Sequence, residues 1–386
     1  MKGTAMDALL GRAVDDRVVP GVVALVADRD GVVYEAARGS LAVDDGQRAQ
    51  PDTLFWIASM TKAIVSVGAL RLIERHELEL DRPVADIVPQ FGALAVLEGF
   101  DGDVPRLRPP TAAATVRHLL THTSGAGYWF SNANLLRFHE LTGVLNASTA
   151  RRAALFDVPL VADAGKRWEY GTSTDWLGLV IEAVSGLDLA TYCATHVLGP
   201  LGMRDTTFTP SAAQMARRTR LHARTPDGGL EPTSLWPPAV GEFHSGGAGA
   251  FGTGPDYMRL LRALLRDGEL DGARVLDAAT VELAFTDHLR GAPLPETVHA
   301  SVPELMNDVP SLPCAQGWGL GFHLVLEDLP GLRRAGTADW AGIANCYYWI
   351  DRASGIAAVL LTQVLPFFDA KIVELLIGFE QAVYAS

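Results

Sequence analysis

Ser59-Met60-Thr61-Lys62 places a hydroxyl and an amine three residues apart, the spacing that a lysine-activated nucleophile requires. The approach Thr53-Leu54-Phe55-Trp56-Ile57-Ala58 is short and apolar, and Ala63 to Glu74 follow in a helical rhythm of Ala, Ile, Val, Leu, Arg and Glu. Ser59 is therefore expected at a helix N-terminus. One turn then sets its hydroxyl and the Lys62 ammonium on the same face. The free N–H groups and the positive end of the macrodipole favour an anion beside them, which suits acyl transfer. A plain N-cap serine followed by a solvated lysine is the competing account. It is weakened because the dipole disfavours lysine in a first turn, and because the chain has only four lysines, Lys2, Lys62, Lys166 and Lys371.

A serine–lysine nucleophile also needs an unprotonated lysine, a proton relay and an oxyanion hole. Tyr170 is the relay candidate. It lies in Trp168-Glu169-Tyr170-Gly171-Thr172-Ser173, just before a helical stretch from Asp175 to Val184, where a phenol can project into a cleft; an anchored loop aromatic is the alternative. Other chemistries are poorly served. There is no G-x-S-x-G elbow. His118 and His122 stand four apart but lack the glutamate of a zinc protease, so a structural pair is expected and no metal or cofactor is implied. The glycines of Ser245-Gly246-Gly247-Ala248-Gly249-Ala250-Phe251-Gly252 have no following lysine, so close backbone packing is expected rather than a phosphate cradle.

The elements that must hold these groups come from both ends of the chain. Gly21 to Ala27 and Val32 to Ala37 flank the turn Asp28-Arg29-Asp30-Gly31 and predict a hairpin. Tyr347 to Asp351 and Ile356 to Thr362 predict a second, with Lys371 to Tyr384 as a closing helix. Strands at both ends with helices between predict one antiparallel sheet assembled from the two termini and flanked by helices, an α/β (α+β) architecture. Residues 1–80 and 210–386 are assigned to the domain that carries the sheet, and 81–209 to a mainly helical domain, with the site in the cleft between them. Pro109-Pro110, Gly125-Ala126-Gly127, Pro237-Pro238 and Gly246-Gly247 mark loops.

The 386 residues are 48% hydrophobic and 20% charged, enough for a substantial core. The net charge of -13 argues against a nucleic-acid surface. Cys193, Cys314 and Cys346 are scattered and odd in number, which indicates neither a disulfide framework nor a zinc knuckle. No apolar leader and no membrane-length run is present, so a cytoplasmic protein is expected.

Several blocks occur in an order that resembles the serine β-lactamase-related hydrolases: Ser59 to Lys62, then Val116-Arg117-His118-Leu119-Leu120-Thr121-His122-Thr123-Ser124-Gly125, then Tyr170 ahead of Leu177 to Glu182, then Leu198-Gly199-Pro200-Leu201-Gly202-Met203. The likeness runs from near Gly21 to near Thr362. Within that superfamily of class C β-lactamases and D-alanyl-D-alanine carboxypeptidases, the chain most resembles the family VIII carboxylesterases of the EstB type. In the lactamases a Lys-Thr-Gly strand holds the drug's carboxylate, whereas such esterases carry Trp-Gly-Gly. Here the stretch is Trp340-Ala341-Gly342, preceded by Asp339. Tryptophan offers no charge-assisted bond to a carboxylate, and Asp339 would repel an anion if it faced the cleft. The lactamases' Tyr-x-Asn is Tyr170-Gly171-Thr172, without the amide that grips an acylamide.

The resemblance implies that Ser59 attacks an ester carbonyl, that Lys62 takes its proton, and that Tyr170 carries a proton to the leaving alkoxide. It implies an oxyanion hole from the backbone N–H groups of Ser59 and Ile343, the latter following Gly342 on an edge strand. Substrate contacts are expected from Trp340, Gly342, Tyr128, Trp129 and Trp318, with Phe130 beside them; for Trp318 the surrounding glycines favour packing beneath the sheet. The partner is then a small-molecule ester, with neither nucleic acid nor membrane. An acyltransferase of natural-product type shares the acyl-enzyme and is the alternative. A β-lactamase or D-amino-acid peptidase, and a non-catalytic ligand-binding domain, stand behind both.

Overall fold

The computed structural model describes residues 2–233 and 241–385; Pro237-Pro238 lies outside them. The main elements are α1 (Lys2–Asp15), β1 (Gly21–Asp28), β2 (Val32–Gly39), α2 (Thr61–Glu74), α3 (Ser173–Ser185), α4 (Gly254–Leu265), β3 (Gln316–Trp318), β4 (His323–Val325), β5 (Thr337–Gly342), β6 (Cys346–Asp351), β7 (Ile356–Leu361) and α5 (Ala370–Tyr384). One seven-stranded sheet has the order β3-β4-β5-β6-β7-β1-β2, antiparallel at every pairing. β1 pairs with β7 in the register Val23↔Leu361 to Asp28↔Ile356, which joins the two predicted hairpins into one sheet.

Both faces of the central strands β1, β6 and β7 are buried, and their side chains divide by the two-residue period of a strand. Val23, Leu25, Tyr348, Ile350, Val359 and Leu361 point into a cluster shared with α2, α3 and α4. Val22, Ala24, Val26, Trp349, Ala358 and Leu360 point the other way, onto Leu10 of α1 and Ile372 and Phe379 of α5. A strand covered on both faces reads as a continuous apolar run rather than an alternation, as Val22 to Ala27 does. Each fully buried Leu or Phe contributes about 1.5–3 kcal/mol of transfer free energy.

Two parts depart from the sequence expectations. The segment 81–209 also holds a hairpin, Val96–Asp101 with Val104–Arg108. Its Asp101-Gly102 turn is a strong local hairpin signal that a mainly helical reading passes over. β5 is an interior strand, because β4 lies beside it. The ladder with β4 covers only Thr337, Ala338 and Asp339, however, whereas that with β6 continues from Ala338 to Gly342. Trp340 to Gly342 therefore have a free flank. Among the described residues no single helix is long and apolar enough to cross a membrane.

Beyond the Gly342↔Cys346 pair, β5 turns into β6 through Ile343, Ala344 and Asn345. Asn345 has φ 57°, a left-handed value that Asn tolerates better than most residues. Its fully buried amide donates to the carbonyls of Val364 and Pro366, each at 2.8 Å, and accepts from the Tyr347 hydroxyl at 2.7 Å and the Phe368 N–H at 3.0 Å. Four bonds at one side chain hold the turn that carries Ile343. Truncation leaves those groups without partners, so Asn345→Ala should lose about 2–4 kcal/mol of stability in urea unfolding. A loss below about 0.5 kcal/mol would show that the turn does not depend on this amide.

Candidate active site

The chain reaches Ser59 through Phe55–Trp56, which pairs antiparallel with Phe251–Gly252. It then turns at Ala58, whose φ of 45° is left-handed for a residue with a Cβ, a conformation that costs about 1–2 kcal/mol. Ala58–Met60 form a single 3-10 turn that runs into α2. Ser59 thus stands two residues ahead of α2, in the turn that opens it, where backbone N–H groups have no intrahelical acceptor. It is 8% exposed.

Lys62, on the first turn of α2, is 2% exposed. Its Nζ lies 2.8 Å from the Gly247 carbonyl, 3.2 Å from the Tyr128 hydroxyl and 3.3 Å from Ser59 Oγ. A buried amine is tolerated only where its N–H groups find acceptors, and these three neighbours match the three donors of an ammonium. On the other side of Ser59, the Tyr170 hydroxyl donates to Oγ at 2.7 Å. The indole N–H of Trp340 reaches the Tyr170 oxygen at 3.3 Å, and the two rings meet nearly edge to face with centroids 5.1 Å apart. A hydroxyl flanked by an amine and a phenol has the side chains that nucleophilic acyl chemistry uses.

Tyr128 was expected to contact substrate. It does border the cavity above Ser59, but its hydroxyl also faces inward, to Lys62 and, at 3.4 Å, to Asp175 Oδ2. Backbone bonding between Tyr128 N–H and Tyr170 C=O, 3.1 Å, sets the two phenols side by side. Asp175, in the first turn of α3, also accepts from Ser245 Oγ at 2.6 Å and from the Gly247 N–H at 3.0 Å. A Cβ on Gly247 would lie 2.5 Å from Asp175 Oδ2 and 2.6 Å from the Tyr128 hydroxyl, so only glycine brings its carbonyl to Lys62. The Gly-rich run is thus a close-packed backbone, as the sequence predicts, and it also supplies an acceptor to Lys62. Asp175 stands five residues past Tyr170, and nothing in its neighbourhood announces a role.

The cavity above Ser59 has a volume of about 360 Å³. Trp56, Trp129, Leu305, Met306 and Phe367 are among the apolar side chains that wall it, and Trp340, Ala341 and Ile343 close the side along β5. Among the described residues that line it, Asp175 alone carries a formal charge. Trp318 and Gly342 are not on this wall. Trp318 is buried beneath it, its indole N–H bonded to the Leu120 carbonyl at 3.1 Å and its ring edge-on to Trp340 at 4.7 Å. Gly342 faces the Ser59 turn instead. A Cβ there would lie 2.6 Å from the Ile57 carbonyl and 3.4 Å from Ala58 Cβ, so glycine lets β5 lie against the turn that carries Ser59. Asp339 points away from the cavity, onto His323 at 2.8 Å and onto Arg333. Burial pushes its carboxyl up, but the interactions with His323 and Arg333 outweigh that and hold it below the usual carboxylate range.

With the architecture and the site in view, comparison with other proteins is direct. The chain matches the beta-lactamase family over residues 6–378 and belongs to it. It is 34% identical over 398 residues to the monacolin J acid methylbutanoyltransferase of Aspergillus terreus, covering 98% of this chain and 95% of that protein. It is 30% identical over 407 residues to esterase EstB of Burkholderia gladioli, covering 98% and 94%. A solved variant of the simvastatin synthase of Aspergillus terreus superposes with a TM-score of 0.85 at 32% identity, covering 100% of this chain and 95% of that one. The family therefore joins hydrolases and acyltransferases on one fold.

His118 and His122 sit apart in role. His118 Nδ1 accepts from the Thr115 N–H at 3.0 Å, closing the cap of the helix Val116–Leu120. His122 is packed among Tyr170, Trp168 and Trp318 with no hydrogen-bond partner at Nδ1. Burial, and next the charge of Lys62, push its pKa well below the ordinary value. The unfolded chain then takes up this proton first, so stability is full above about pH 6.5 and falls as pH drops below it. One such group contributes a slope of up to about 1.4 kcal/mol per pH unit. Urea midpoints measured between pH 7.5 and 5 should fall, and His122→Leu should flatten the fall; an unchanged slope in the variant would mean that His122 is not held neutral.

Proposed function

We propose that this protein is a serine carboxylesterase acting on uncharged, predominantly apolar esters through an acyl-enzyme on Ser59. The observation that carries this reading is Ser59 Oγ held between Lys62 Nζ at 3.3 Å and the Tyr170 hydroxyl at 2.7 Å at the floor of an apolar cavity. The longer Lys62 contact has room to tighten once substrate is bound. Ser59 Oγ bonds to the ester carbonyl carbon while its proton passes to Lys62. The carbonyl oxygen, now negative, is received by the N–H groups of Ser59 and Ile343. The C–O bond breaks, Tyr170 gives its proton to the leaving alkoxide, and Lys62 restores it. Water then attacks the acyl carbon as the same groups take its proton, and Ser59 Oγ leaves with a proton regained.

Trp340 supports an ester over a β-lactam or a D-peptide carboxylate, because its neutral indole stands where a cation would be needed. Among the described lining residues the one formal charge, on Asp175, is negative, and it too disfavours an anionic substrate. The kinship with a methylbutanoyltransferase favours a second reading, in which an alcohol rather than water resolves the acyl-enzyme.

Mixing the protein with excess p-nitrophenyl acetate or butyrate should release a burst of nitrophenol, leave an acyl adduct visible by intact mass, and continue into turnover. Ser59→Ala should show none of these, and Ser59-independent release would remove the assignment. Adding an apolar alcohol distinguishes the two readings: faster nitrophenol release with an esterified alcohol as product marks transfer. Gly342→Ala should fold yet lose about 10²-fold in kcat/KM, since its Cβ pushes the two oxyanion donors apart. Parent-like turnover in that variant would exclude Ile343 as a donor.

A further inference from the structure

The number of hydrogens around Lys62 fixes which way its lone pair points, and Asp175 decides that number. On the reading of Lys62 as the base for Ser59, the amine must be neutral when Ser59 attacks. A neutral amine donates two hydrogen bonds and accepts one. Its three neighbours are the Gly247 carbonyl at 2.8 Å, the Tyr128 hydroxyl at 3.2 Å and Ser59 Oγ at 3.3 Å. The carbonyl can only accept. The lone pair therefore points to Ser59 only if the Tyr128 oxygen also accepts, which requires the phenol's own proton to be engaged elsewhere. Asp175 Oδ2, 3.4 Å from that hydroxyl, is the group that takes it.

We infer that Asp175 is a positioning residue for acylation, orienting the Tyr128 hydroxyl so that the lone pair of Lys62 is directed at Ser59. The carboxylate is 2% exposed, and its place is built. It sits in the first turn of α3, where the macrodipole favours a negative charge. Ser245 Oγ and the Gly247 N–H satisfy its other oxygen. The same bond to Gly247 holds the loop whose carbonyl is the remaining acceptor of Lys62. One carboxylate thus sets both acceptors of the amine without touching it.

Asp175→Asn tests this at nearly constant shape. If the amide oxygen keeps Ser245 and Gly247, the amide nitrogen donates to the Tyr128 oxygen, and the phenol's proton turns onto Lys62 and occupies its lone pair. The burst rate for p-nitrophenyl butyrate should fall by at least about tenfold, in the range of general-base effects, with KM within about twofold and the urea midpoint near the parent's. Tyr128→Phe, which keeps the bonds from Asp175 to Ser245 and Gly247, should slow the burst as well. In the Tyr128→Phe background the asparagine substitution should then cost little more, because the two act as one unit.

A purely structural role for Asp175 predicts the opposite: the same loss with or without the phenol hydroxyl. That result, or an unchanged burst in Asp175→Asn, overturns the inference. If Asp175→Asn does not fold, Tyr128→Phe alone decides, and a parent-like burst in it overturns the inference. The parent burst and its loss in Ser59→Ala are read in the same experiment. An intact burst beside an indifferent Asp175→Asn counts against Asp175 alone, whereas a missing burst in the parent counts against the acyl-enzyme itself.

Discussion

Burying the Lys62 amine is the constraint on which the rest of the site depends. An unpaired ammonium in an apolar interior costs several kcal/mol, and α2 is buried on nearly all sides around it. The fold answers with acceptors drawn from three separate places: the turn that opens α2, the loop that carries Tyr128, and the loop at Ser245 to Gly247. None of the three can move without leaving the amine short of a partner. The requirement to satisfy one nitrogen therefore adds to the contacts that already join these segments, the Phe55–Trp56 pairing with Phe251–Gly252 and the bonds of Asp175 to Ser245, Gly247 and Tyr128.

Around that nitrogen the aromatic residues provide a dry, rigid frame. Tyr170 lies between Ser59 and Trp340, Trp340 leans on Trp318, and Trp318 is pinned through its indole to the Leu120 carbonyl. The edge-to-face packing within this stack fixes ring orientations more tightly than aliphatic contacts would. β5 completes the frame, its half-strand left free by β4 facing the turn that carries Ser59. β5 contributes both backbone and the Trp340 side chain, and the loops at Tyr128 and Tyr170 contribute the phenols that face it across the cavity.

The sequence discloses this arrangement unevenly, and the reason is distance along the chain. Ser59 and Lys62 are legible because one helical turn relates them. The hairpins at both ends are legible because Gly21 to Ala27 and Ile356 to Leu361 are unbroken apolar runs and turn residues separate each from its partner strand. β3 and β4, three residues each, are too short for any period to mark. Tyr170 is visible mainly through ordered likeness to a family. The hydroxyl of Tyr128 on Lys62, the Gly247 carbonyl, and Asp175 behind both join positions that are far apart in the chain. Local propensity holds no record of such contacts. Trp318 and Gly342 show the converse: a tryptophan or glycine beside a site can equally support it from behind, and only packing tells which.

The pairing of β1 with β7 has a further consequence, for how the molecule is reached rather than how it works. Two strands from opposite ends of the chain must lie side by side before either has both its neighbours, and α1 and α5 cover the same face of the sheet that the pairing completes. Such non-local topology makes for slow folding. Until the last strand arrives, β1 presents an apolar surface and an open edge of the kind that pairs with other chains. The competition between closing the sheet within one molecule and adding a strand from another is therefore set by protein concentration during refolding.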